Sequence, residues 1–259
     1  MKDITTAHIE DWLLVQKKTG VSNVTVNHYL AALRVIFNEA FRKNDIPTNP
    51  IAAVQPLSVD SRKKDVLTNE EVTALFSEKD RKKIWKKNVH YLISLIASQT
   101  GMRLGEIQAL RIENLYEDHI LVKHSWDRVY GLKGTKNGKE RIVPIKKSLY
   151  ESLIKFYQEE GYTEPFIFSA SEGHQPIDHK TIYKWFYRAM DAIGIDKESR
   201  EERNITFHSW RHYVNTQLLA KGIPENIIQA VIGHSDGKMT KHYTAFSLSD
   251  MKEALNTNQ

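Results

Sequence analysis

Cysteine is absent from the 259 residues, which excludes a disulfide framework and any thiolate metal site. No apolar run approaches the roughly 20 residues needed to span a bilayer. The opening residues are polar and acidic and carry no signal-peptide pattern. Internal repeats and low-complexity tracts are lacking too. These absences point to a reducing compartment, such as a bacterial-type cytoplasm, and to no membrane partner.

What is present describes an ordinary globular chain, 41% hydrophobic and 27% charged. Its length allows one large domain or two smaller ones. The net charge is +5. The excess is modest, but the basic residues cluster: Arg62-Lys63-Lys64, Arg81-Lys82-Lys83, Lys86-Lys87, Lys133 to Lys139, and Lys146-Lys147. Clusters spread along a chain suit a long polyanion better than a small acid. Solvated helix faces are the plain alternative.

Periodicity predicts helices over 3–18 and about 22–43, the second with Val26, Leu30, Leu33, Phe37 and Phe41 on one face. Two helices cannot close a core alone, and no third helical partner is visible. Residues 55–66 read as a basic linker. Thr68 to Glu71 is a capping box opening a helix, and 87–99 is an apolar helix ending at Thr100-Gly101. A short helix, 104–110, follows. Strand signals at 120–122, 128–131 and 140–145 surround Asn137-Gly138, which reads as a hairpin turn. Helices resume over 147–160, 179–193, 209–221, 224–232, 239–246 and 248–255. The expected class is α+β, mainly helical, with a small antiparallel sheet. The expected domains are 1–54, a linker at 55–66, and 67–259.

Several residues can carry chemistry. Arg103 sits at a capped turn, and its planar fork fits two phosphate oxygens; Glu106 lies one helical turn on. His208 and Arg211, three apart, share a helix face, while His212 is expected to point elsewhere. Gly233 presents His234 at a helix end. Lys136 stands at the expected hairpin tip. Tyr243 is one of 11 tyrosines; with an ordinary pKa of about 10 it is a poor nucleophile unless cations or a base assist it. Each has a bland reading as well: a surface Arg–Glu pair, a helix cap, a turn lysine. His208, His234 and a carboxylate could also hold a metal, though no spacing favours it.

Taken in order, four motifs resemble the tyrosine recombinases, which include phage and mobile-element integrases. They are Thr100-Gly-Met-Arg103-Leu-Gly-Glu106, Gly134 through Lys136 and Arg141 to Pro144, Phe207-His208-Ser-Trp-Arg211-His212, and Ile232-Gly-His234-Ser followed by Thr240-Lys-His-Tyr243. The match runs over about 67–246. The two N-terminal helices resemble the last two long helices of that family's helical (SAM-like) core-binding domain; its earlier helices and any arm-binding domain are not visible.

The resemblance implies a site-specific recombinase that cleaves and rejoins double-stranded DNA without metal or other cofactor. Arg103 and Arg211 would hold the non-bridging oxygens of the scissile phosphate. Tyr243 would attack, giving a 3′-phosphotyrosyl link and a free 5′ hydroxyl, and Lys136 would protonate the leaving oxygen. His208 would share the phosphate oxygens and help take the tyrosine proton, His234 would bond the phosphate, and Glu106 would orient Arg103 or His208. DNA contacts are expected from Arg62, Lys63, Lys64, Lys133, Lys139 and Arg141. The family also implies a tetramer on DNA, with the segment around Ala245, Phe246, Leu248, Met251 and Leu255 docking on a neighbour. The rivals are a type IB topoisomerase, which relaxes DNA as a monomer, a DNA-binding protein that never forms a covalent adduct, and a metal hydrolase that chelators inactivate.

Overall fold

The computed structural model describes residues 3–59, 65–135, 138, 140–162, 165–170 and 175–233. The chain divides into two compact units, Met1–Lys63 and Lys64–Gln259.

The first unit holds α1 (Thr6–Lys18) and α2 (Asn23–Arg42). Thr5 and Ser22 cap them by accepting the backbone N–H of His8 and Thr25. Their facing stripes, Ile9 and Leu13 against Val26, Leu30 and Phe37, are closed by a third element that is not a helix. Ile46, Ile51 and Val54 fold back into the same cluster. Asn27 then clamps the outgoing strand of chain: its Nδ2 donates to the Leu57 carbonyl at 2.9 Å, and its Oδ1 accepts the Leu57 N–H at 2.8 Å. The start of the expected linker is therefore bound to α2.

The second unit is built around α5 (Asn88–Thr100). Tyr91, Leu92, Ile93, Ile96 and Ala97 are all buried, the all-round apolar pattern of a helix inside a core. It packs against α7 (Lys147–Glu160), α8 (His179–Ala192) and α10 (Ser209–Ala220). Two short helices, α3 (Asn69–Leu75) and α4 (Arg81–Ile84), precede it; α6 (Leu104–Gln108), α9 (Lys197–Glu202) and α11 (Glu225–Ile232) complete the α-helices among the described residues, with one 3-10 turn at Ile112–Asn114. The Arg81-Lys82-Lys83 cluster is thus helical, and α9 was not foreseen. The expected helices 239–246 and 248–255 lie outside the described residues. No described helix is long and apolar enough to cross a membrane.

The strands are antiparallel, as expected, but paired differently. β1 (His119–Val122) pairs with β4 (Arg141–Pro144), and β2 (His124–Asp127) pairs with β3 (Gly131–Gly134). The turn that joins the paired strands β2 and β3 is therefore Arg128 to Tyr130; Asn137, and with it the expected Asn137-Gly138 turn, lies outside the described residues. Asp127 builds the β2–β3 turn by accepting the backbone N–H of Val129 and Tyr130, an Asx turn. Between β3 and β4 only Thr135, Gly138 and Glu140 belong to the described residues, and the two strand pairs are separated on the other side by the single residue Lys123.

Candidate active site

Arg103 is placed by the end of α5. Gly101 takes the left-handed conformation, φ 63°, that stops the helix. A Cβ there would press on Val214 of α10 at 3.3 Å, so only glycine allows both the turn and the close helix contact. Arg103 is then the N-cap of α6. Gly105, two residues on, is covered by β2: an added Cβ would lie 2.7 Å from both Ser125 Oγ and the Trp126 carbonyl. β2 thereby fixes the short helix that carries the arginine.

Glu106 lies at the centre, 3% exposed. It accepts the backbone N–H of Arg103 at 2.9 Å and Arg103 Nη1 at 3.0 Å. Arg141 binds it bidentately, Nη1 at 3.0 Å and Nη2 at 2.7 Å. Burial pushes this carboxyl up, but the Arg141 hydrogen bonds and charge, then those of Arg103, outweigh it and hold it below the usual range.

Arg211 is 2% exposed on the first turn of α10. Its Nη1 donates to the Gly101 carbonyl at 2.9 Å and to the Ile232 carbonyl at 2.5 Å. Arg103 Nη2 donates to the next carbonyl, Gly233, at 2.8 Å. Burial first, then the Arg103 charge, depresses Arg211 to about 9, with Glu106 opposing and Arg141 adding to the effect. Two guanidiniums thus bind one buried carboxylate and a third, Arg211, lies close enough to feel their charges, an electropositive place that favours an incoming anion.

His208 is the exposed N-cap of α10. His212 does not point elsewhere: its ring stands edge-on to His208, with centroids 5.0 Å apart. Their i, i+4 spacing was the signal for this. Lys133 is on β3, with its ammonium 2.6 Å from Asp127. Arg141, read above as a DNA contact, turns its guanidinium inward. The structure therefore brings together Arg103, Glu106, Arg141 and Arg211, with the ends of α5 and α11. Lys136, His234, Tyr243, Arg62, Lys63, Lys64 and Lys139 lie outside the described residues. Among the described residues no group of histidines and carboxylates could hold a metal.

The comparisons agree on one kinship. The family model "Phage integrase family" matches residues 65–249. A tyrosine recombinase of Pseudothermotoga lettingae is 26% identical over 261 residues, 99% of this chain and 83% of that protein. Tyrosine recombinase XerD of Staphylococcus aureus is 27% identical over 244 residues, 92% of this chain and 77% of XerD. In fold, the Tn1549 transposon integrase in complex with transposon right end DNA superposes with a TM-score of 0.76 at 24% identity, covering 98% of this chain and 85% of that one. The lambda integrase tetramer bound to a Holliday junction gives 0.67 at 21%, covering 93% and 68%. On this match across most of its length, the chain belongs to the phage integrase family, the tyrosine recombinases, and is an enzyme of site-specific recombination that breaks and rejoins DNA.

Proposed function

We propose that Arg103, Arg211 and His208 hold the scissile phosphate of a DNA duplex while Tyr243 attacks it. The observation that carries this reading is the gathering of Arg103 and Arg141 on one buried carboxylate with Arg211 close by, depressed to about 9 mainly by burial and by Arg103. A phosphate placed there relieves the mutual repulsion. Charge on its non-bridging oxygens grows in the pentacoordinate transition state, where fixed donors act most strongly.

In the forward step the Tyr243 oxygen bonds to phosphorus as the bond to the 5′ oxygen breaks. His208 helps take the phenolic proton, and Lys136 gives a proton to the departing oxygen. His234 adds a hydrogen bond to the phosphate. The 3′-phosphotyrosyl ester keeps the bond energy, so neither nucleotide nor metal is required. Attack by a 5′ hydroxyl from another strand reverses the step and expels Tyr243. Glu106 touches no reacting atom and orients Arg103.

Residues 1–54 serve as part of a helical core-binding domain, 55–66 as a basic linker, and 67–259 as the catalytic domain; the division of the chain near Lys63 supports this. Arg62, Lys63, Lys64, Lys133 and Lys139 contact backbone phosphates. Kinship with the Tn1549 integrase favours a mobile-element integrase acting in the cytoplasm. Assembly as a tetramer on DNA, with Ala245 to Leu255 docking on a neighbouring copy, follows the lambda integrase tetramer.

The test is incubation with nicked suicide duplexes of att-like and random sequence in EDTA. A covalent DNA adduct that disappears in Tyr243→Phe is expected. An adduct that persists in Tyr243→Phe sinks the assignment of the nucleophile; DNA binding without any adduct favours a protein that has lost catalysis.

A further inference from the structure

Arg141 opens β4, five residues after Lys136 in sequence. Its place in a basic stretch suggests a DNA contact, and its environment argues otherwise. The side chain is only 13% exposed. Nη1 and Nη2 fork onto the two oxygens of Glu106, and Nε donates to the Val231 carbonyl at 3.2 Å. Gly233 lies against the same guanidinium: an added Cβ would be 2.9 Å from Arg141 Nε and 3.0 Å from Cζ. The backbone that leads into His234 therefore rests on Arg141.

We propose that Arg141 is a positioning residue for strand cleavage. It fixes Glu106, and through Glu106 the Arg103 guanidinium, while its Nε and planar face fix the end of α11 before His234. The proposal rests on the reading of Arg103 as a phosphate holder. A buried carboxylate stays ionised only while it is paired. Without Arg141, Glu106 loses two charge-assisted hydrogen bonds. It then either draws Arg103 further onto itself or takes up a proton and releases Arg103 Nη1. Both shift the guanidinium by something of the order of an ångström, which costs about 10²-fold in rate. A DNA contact behaves differently: its loss weakens binding and lowers the salt slope by about 0.9.

The experiment is single-turnover cleavage of a saturating nicked duplex by the full chain, with DNA affinity followed across a salt series. The variants are Arg141→Lys, Arg141→Gln, Glu106→Gln and the Glu106→Gln/Arg141→Gln pair. Arg141→Gln is expected to lower the rate constant about 10²-fold, with adduct amplitude and salt slope unchanged. Arg141→Lys falls between it and the wild type. Once Glu106 is glutamine, removing Arg141 costs less than it does in the wild type, the remainder reporting its hold on the end of α11. Three results overturn the proposal: a shallower salt slope with the rate at saturation retained, a loss of amplitude at the wild-type rate, or additive losses in the double variant. Should Arg141→Gln not fold, Arg141→Lys decides by the same rate and slope criteria. Arg103→Ala and Tyr243→Phe are run alongside; if either cleaves at the wild-type rate, the reading of the site fails first and the proposal with it.

Discussion

Arg103 and Arg211 donate to consecutive carbonyls, those of Gly233 and Ile232, at the C-terminal end of α11. That end carries the partial negative charge of the helix, which favours the two cations. Residues 130 and 21 positions away in sequence are thereby drawn to one spot, the spot from which His234 follows.

Replacing Arg211 by lysine is expected to lower the cleavage rate by about 10²–10³-fold, the usual loss when a fixed donor to a developing oxyanion is removed. Nη1 alone bonds the Gly101 and Ile232 carbonyls, and a lysine, with one nitrogen, cannot hold them and also present a second nitrogen to a phosphate. Single-turnover adduct formation at saturating duplex measures this, and a rate within a few-fold of wild type would count against Arg211 as a phosphate holder.

Gly105→Ala forces a Cβ to within 2.7 Å of the Trp126 carbonyl, and backbone cannot swing aside as a side chain can. β2 must move off α6, so the expected outcome is a loss of about 1–3 kcal/mol in urea unfolding. Activity per folded molecule should fall too, because α6 carries Arg103. An unchanged midpoint would show that β2 yields freely.

His90 makes stability sensitive to mild acid. It is 5% exposed and stacked on Trp185 with ring centroids 4.9 Å apart. Burial first, then the Lys87 charge, holds its imidazole at about 4. The unfolded chain protonates this group near about 6.5. As pH falls from that value toward about 4, the unfolded state takes up a proton that the folded state refuses, so stability drops, with a slope approaching about 1.4 kcal/mol per pH unit. Equilibrium unfolding across this window should show the slope, and His90→Phe, which keeps a ring on Trp185, should remove it.

At lower pH the carboxylates take over. Glu106 and Glu71 are both held below the ordinary carboxylate range: each is raised by burial and lowered more by its arginines, Arg141 and Arg103 for the first, Arg203 for the second. A depressed folded value gives stability that is present above the unfolded pKa of about 4.3 and lost as pH falls through the folded value. Glu71→Gln is expected to flatten the acid limb, since Arg203 Nη1 and Nη2 both bind that carboxylate. An acid limb identical to wild type would assign the sensitivity elsewhere.

Local signals determined much of this protein. Thr68 caps the helix it was expected to open, because a cap is an interaction between neighbours in sequence. The apolar run of α5 announced a buried helix, and Gly101 its end, for the same reason. The four motifs placed the chain in its family before any coordinate. What tertiary structure decided is where partners come from far apart. The closing of the N-terminal core by Ile46, Ile51 and Val54 was hidden, since an irregular segment has no period to read. The strand pairing was decided at Asp127, whose Asx turn joins β2 to β3. Arg141 looked like one more surface cation in a basic stretch. Only the fold shows that it faces a buried carboxylate 35 residues away, because composition reports charge and not the direction in which a side chain points.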